Sequence, residues 1–166
     1  MLRIHQSHSI SYPEEQRLRA IFAQDKEGST VLHWAIFGEI ESIRYLLSLL
    51  SASQRLELVN MRDHDGFTAL LRYVRFPRKN TVGVIRAVLD MLPESQVLQA
   101  LKMENNRRTI LHDVANHGNV ESIKYILNRV PKSECFRLLC TQDDHGCTVL
   151  HYAVFSGTTM NSLTES

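Results

Sequence analysis

Gly28-Ser-Thr-Val-Leu-His33-Trp-Ala35 is a phrase that returns three more times along the chain. Its echoes are Gly66-Phe-Thr-Ala-Leu-Leu71, Thr109-Ile-Leu-His112 and Gly146-Cys-Thr-Val-Leu-His151-Tyr-Ala153. The four threonines, Thr30, Thr68, Thr109 and Thr148, stand 38, 41 and 39 residues apart. Self-similarity at a period of about 20–50 residues means one supersecondary unit stacked on copies of itself. A stacked array presents a long ridged surface rather than a closed chamber, so binding is the first functional expectation.

Each unit reads in order from its turn. Asp25-Lys-Glu-Gly28, Asp63-His-Asp-Gly66 and Asp143-Asp-His-Gly146 combine an Asp that can bond the backbone with a Gly free to take positive φ. A short apolar helix follows and breaks at Gly38, Gly118 or Gly157. A second helix comes next, with apolar residues at i, i+3 and i+4: Ile43, Leu46 and Leu47 in one unit, Ile123, Ile126 and Leu127 in another. Pro13, Ser51, Pro93 and Pro131 then each open a further run of helix formers, always 12 residues before the next turn begins. Proline suits a helix's first turn, and Ser51 with Gln54 fits a capping pair, so a short third helix is expected in each unit.

Thr-x-Leu-His-x-Ala after a Gly turn, followed by a helix pair, resembles the ankyrin repeat. The likeness runs from residue 13 to 157 and includes two full matches, Thr30–Ala35 and Thr148–Ala153. It implies an all-α, ankyrin-like repeat solenoid of helix pairs joined by turns, here with the short third helix added. That family's period is about 33 residues, which the extra helix lengthens. The resemblance also implies that Thr30, Thr68, Thr109, Thr148, His33, His112 and His151 form hydrogen bonds bracing each turn and its neighbour. The expected organisation is a flexible end over 1–12, an array over 13–157, and a tail over 158–166. Repeats fall near 25–62, 63–104 and 105–142, with a partial one over 143–157. The array begins with the tail of one unit and ends with the head of another, as a fragment of a longer array or one with poorly capped ends would. The second unit carries Leu71 in place of His, and the third lacks its turn glycine, reading Asn105-Asn-Arg-Arg-Thr109.

Composition narrows the function classes. Nineteen basic against eighteen acidic side chains give a formal charge of +1, which points to neither nucleic acid nor an anionic membrane. The longest apolar stretch, near Tyr45–Leu50, is far too short to span a bilayer. Three cysteines without a CxxC fit a reducing compartment, so the cytoplasm is expected. Cys135, Cys140, Cys147 and His151 have zinc-like residue types, but repeat register spreads them over different faces, and no metal or cofactor is expected. Nucleophile-elbow, dinucleotide and phosphate-loop motifs are missing, as is HExxH, and no enzymatic activity is expected.

The resemblance places partner contacts on turn tips and on the exposed side of each first helix, which together form a concave face. Carried onto this chain, the candidates are Phe37, His64, Asp65, Phe67, Arg75, Phe76, Arg107, Arg108, Asn116, His117, Asp144, His145 and Phe155. Phe37, Phe67, Phe76 and Phe155 fall where the pattern points outward, and interface anchors are often aromatic or Arg. The expected role is a protein-binding scaffold module, monomeric unless its ends associate. Two alternatives stand beside it. Arg72, Arg75, Arg78, Lys79 and Arg86, interleaved with Tyr73 and Phe76, could grip nucleic acid or an acidic partner from an extended loop. A structural spacer within a longer chain is the other.

Overall fold

A computed structural model describes residues 13–76 and 80–157. The expected ends over 1–12 and 158–166, and Arg78 and Lys79 of the basic cluster, lie outside them. The first helices of the four units are α2 (Val31–Ala35), α5 (Ala69–Arg75), α8 (Ile110–Asn116) and α11 (Val149–Phe155). Second helices are α3 (Ile40–Ser48), α6 (Thr81–Leu89) and α9 (Val120–Asn128), and the added third helices are α4 (Ala52–Asn60), α7 (Glu94–Leu101) and α10 (Lys132–Cys140). Helix α1 (Glu14–Phe22) precedes the first turn in the same register as these third helices. Like packs on like: α2, α5, α8 and α11 form one row, α3, α6 and α9 a second, and α4 lies against α7. The fold is an all-α repeat solenoid.

The core follows the period. The motif leucines Leu32, Leu70 and Leu111 are buried in successive units, and Ile43, Leu47, Ile85, Leu89, Ile123 and Ile126 fill the layer between first and second helices. Removing a side chain of this size from water contributes about 1.5–3 kcal/mol each, so the stack of leucines and isoleucines dominates cohesion. The third helices do more than cover this layer. From α4, Arg55 donates to the carbonyl of Leu47 at the end of α3 and to that of Met91 beyond α6, at 2.8 and 2.9 Å. It therefore ties the end of α3 to the segment that follows α6 in the next unit. Ser51 and Gln54 form the reciprocal capping box expected of them. The prolines differ slightly from expectation, since Pro13, Pro93 and Pro131 sit at the N-cap, one residue before the helix starts.

Three of the four first helices, α2, α8 and α11, begin with a different reciprocal cap. The Thr30 N–H donates to His33 Nδ1 at 3.1 Å, and the Thr30 hydroxyl lies 2.9 Å from the same nitrogen. Thr109 and His112 repeat this at 3.2 and 2.9 Å, and Thr148 and His151 at 3.2 and 2.8 Å. Histidine thus replaces the Glu or Gln of an ordinary capping box. Because Nδ1 accepts from a backbone N–H, the ring proton resides on Nε2 and can be donated onward. His33 Nε2 donates to the Phe67 carbonyl at 3.1 Å and His112 Nε2 to the Thr141 carbonyl at 3.0 Å, each in the next unit. The expected bracing role holds for both. His151 differs: it is exposed, and among the described residues its Nε2 meets no carbonyl.

Turns stack on turns. The His64 N–H donates to the Glu27 carbonyl at 2.9 Å, and the Asn105 side-chain amide donates to the Asp65 carbonyl at 2.7 Å. Gly28 has φ +77°, and a Cβ there would come within 2.5 Å of the His64 ring and 2.8 Å of its backbone nitrogen. In the third unit the missing glycine is replaced by a two-residue hairpin joining β1 (Glu104–Asn105) to β2 (Arg108–Thr109), a small sheet that the motif pattern did not announce. Asn106 and Arg107 take the left-handed conformation themselves, at φ 52° and 57°, as two-residue hairpins require.

Burial holds the imidazoles of His33 and His112 below their ordinary pKa, although the carbonyls they bond and nearby carboxylates oppose the shift. An unfolded imidazole titrates near about 6.5, so below that pH the unfolded state binds protons first. Stability is therefore full above about pH 6.5 and falls as the pH drops below it, until the folded imidazoles protonate too. His112→Ala should lower stability by about 1–3 kcal/mol at pH 7.5, because it strands buried partners. It should also reduce the loss between pH 7.5 and 5.5, measured as the shift in denaturant midpoint. A second expectation concerns glycine. Gly28→Ala should lower the melting temperature clearly more than Gly146→Ala, since both have positive φ but a Cβ at Gly146 meets nothing within 4 Å.

Candidate functional site

The candidate surface is built from the turns and the outward side of α2, α5, α8 and α11. Its scaffold is the turn aspartate. In units one, two and four, Oδ1 of Asp25, Asp63 or Asp143 accepts two backbone N–H groups within its own turn, at 2.8–3.1 Å. The second oxygen accepts from the side chain nine residues on: the Trp34 indole at 2.9 Å, the Arg72 guanidinium, and the Tyr152 hydroxyl at 2.7 Å. Three chemically different donors make one bond at one register. All three aspartates are held below the usual carboxylate range. For Asp25 the Trp34 bond is the largest cause. For Asp63 and Asp143 burial pushes the other way but is outweighed by the side-chain and backbone donors.

The third unit inverts this arrangement. Asn105 takes the turn position, and the carboxylate appears instead on α8 as Asp113, whose side chain is fully buried. Arg108 lies 2.7 Å from Asp113 and Arg75, from the preceding unit, 3.1 Å. Arg108 also donates to the Tyr152 hydroxyl at 3.0 Å and sits over that ring, 4.2 Å from its centroid. A continuous chain of charge and hydrogen bonds thus joins Arg75, Asp113, Arg108, Tyr152 and Asp143 across three units.

This network corrects the expectation of a free basic cluster. Arg75 is the last residue of α5, not part of an extended loop, and its charge is met by Asp113. Arg72 is paired with Asp63 and, at 2.7 Å, with Asp65. Arg86 covers the Tyr125 ring on the second-helix side, 4.8 Å from its centroid. The expected row of four outward phenylalanines is also corrected. Phe67 is half-buried beneath the guanidinium groups of Arg72 and Arg75, at 5.1 and 5.4 Å. Phe37 packs against Tyr73 with ring centroids 5.6 Å apart. Phe76 and Phe155 do stand open, 61% and 85% exposed.

The remaining candidates fall as follows. His64, Asp65, Arg107, Asp144 and His145 are exposed on turns. Arg108 is half-buried by its bonds. Asn116 is half-buried near the end of α8, and the adjoining His117 is exposed with Nε2 3.3 Å from the Arg75 carbonyl. Motif reading missed Trp34, 67% exposed on α2, and the buried Asp113. The nine-residue spacing from turn Asp to the position after the motif His was a legible signal for Trp34. Nothing local marks Asp113, because its partners come from other units. Cys135 and Cys147 are half-buried and Cys140 exposed, and among the described residues no three His, Cys, Asp or Glu converge for a metal.

Residues 87–165 match the family model described as ankyrin repeats (3 copies). This stretch of the chain belongs to the ankyrin-repeat family. The match covers the end of the second unit and those after it, and the first two units stack in the same rows with the same turn chemistry. No curated protein matches the chain. Ankyrin repeats are in general protein–protein interaction modules. No helix among the described residues is long and apolar enough to cross a membrane.

The buried carboxylate should dominate the energetics of this face. Asp113→Asn leaves two arginines short of a counter-ion and should cost on the order of 3 kcal/mol. Asp65→Asn, at a side chain 72% exposed, should cost under about 1 kcal/mol. Urea denaturation of the two variants beside the parent chain checks the ranking.

Proposed function

We propose that the array is a non-enzymatic protein-interaction module, with units near 25–62, 63–104, 105–142 and a partial one over 143–157. Its partner lies along the face made by the turn tips and first helices. The observation that carries this reading is the set of large aromatic side chains left open on first helices or at their ends: Trp34, Phe76 and Phe155. Tyr45 and Phe136 are also exposed, but singly, on α3 and α10. Around the open rings stand His64, Asp65, Arg107, His117, Asp144 and His145, a polar surround suited to fixing orientation. Arg75, Arg108, Phe67 and Phe37 support the face from beneath. With Arg72, Arg75 and Arg108 already paired to carboxylates, the favoured partner is a protein surface rather than a polyanion.

A binder selected from a peptide-display library should slow amide exchange in 27–37, 64–76 and 107–117 and leave α4, α7 and α10 unchanged. Phe76→Ala and Phe155→Ala should each weaken it by about tenfold, or about 1.4 kcal/mol. Protection confined to the third helices would refute the assignment of the face.

A further inference from the structure

Between the first and second turns an open cavity of about 380 Å³ is lined by Glu27, Trp34, Phe37, Asp65 and Arg72, among others. Its polar groups are unevenly committed. The Trp34 N–H is bonded to Asp25, which fixes the indole while leaving two thirds of the residue exposed, at 67%. Asp65 spends one interaction on Arg72 and keeps a side chain 72% exposed. Glu27 is exposed and forms no ion pair among the described residues. The cation in the wall, Arg72, is met by both Asp63 and Asp65. Nearby Arg62 is directed elsewhere, donating to the carbonyls of Gly66 and Glu104. Four carboxylates, Asp25, Glu27, Asp63 and Asp65, therefore stand in these two turns against Lys26 and Arg72.

The array itself shows what such a site accepts. Tyr152, which occupies the register of Trp34, carries Arg108 over its ring, and that arginine is paired with Asp113. Phe67 carries Arg72, paired with Asp63 and Asp65. At two places on this face, then, an aromatic ring is covered by a cation held by carboxylate. Trp34 has the ring and the carboxylates, and among the described residues no cation lies over it. Indole is the strongest of the aromatic faces for a cation, and Glu27 and Asp65 can accept charge-assisted hydrogen bonds from the same group.

We propose that this cavity is the specificity pocket of the binding face and receives a lysine or arginine side chain from a basic segment of the partner protein. The cation sits on the Trp34 indole and is held by Glu27 and Asp65. This rests on the protein-binding reading of the same face.

Trp34 is the chain's only tryptophan, so its fluorescence reports the pocket directly. An acetylated hexa-arginine peptide, titrated in 0.15 M salt, should change that emission saturably, with hexaglutamate and a single-stranded oligonucleotide as comparison probes. Glu27→Gln removes an exposed carboxylate without a folded-state partner and should weaken the hexa-arginine complex by fivefold or more. Glu57→Gln, an equal charge change at an exposed carboxylate on α4, away from this face, should leave it within twofold. Trp34→Phe, followed by anisotropy of a labelled peptide, should also weaken it by at least fivefold. Absence of saturable hexa-arginine binding, equal effects of Glu27→Gln and Glu57→Gln, or tighter binding of either anionic probe would overturn the pocket assignment. A display-selected binder that protects the face yet lacks basic residues and ignores Glu27→Gln would remove the pocket and keep the face. Protection confined to the third helices would remove both.

Discussion

In the first and third units a single neutral imidazole closes two structural gaps at once. Its Nδ1 accepts the backbone N–H that opens the first helix, and its Nε2 proton reaches a carbonyl of the following unit. The first bond fixes the tautomer that makes the second possible. Local helix capping and long-range stacking are thereby joined in one side chain, and the spacing of turns and first-helix rows depends on it. A charged imidazole could not accept at Nδ1, so the arrangement also ties stability to the protonation of two buried rings.

The second unit has Leu71 where that histidine should stand, and the array holds together there by other means. Asn105 and Arg62 donate to backbone carbonyls across the turn boundary, while Arg75 crosses from α5 to the buried Asp113 on α8. A buried charge removed from water is costly unless it is matched closely. Asp113 is matched by arginines from two units, so the network specifies their relative position as well as closing the gap. The added third helix makes a comparable connection on the far side, where Arg55 links the end of α3 to the segment after α6.

These demands decide which residues remain available for a partner. Arginines on the side of the turns and first helices are largely consumed by carboxylates and aromatic rings of the array itself. What stays open is a spaced set of aromatic groups with exposed turn residues around them, more acidic at the first two turns and carrying Arg107 at the third. The surface is consequently varied along its length, which suits the proposed recognition of one partner in one register.

The sequence by itself determined the period, written in one motif that returns every 38 to 41 residues, and also the helix pair with its third helix and the Thr–His brace, written in residues three to twelve positions apart. The spacing of Ser51 from Gln54 and of Thr30 from His33 spans a single helical turn, and the buried leucines repeat with the unit. Tertiary structure alone decided the fate of the charges and of the candidate anchors. Arg75 and Asp113 are 38 residues apart and Arg108 and Tyr152 are 44 apart, and only stacking of separate units sets their distances. The same stacking drew Phe67 under two guanidinium groups and turned Phe37 against Tyr73, while Trp34 was left open beside Glu27 and Asp65. A repeat pattern records what each unit shares with its neighbours. The contacts that make this face particular arise where the units differ, and their geometry exists only once the units are packed.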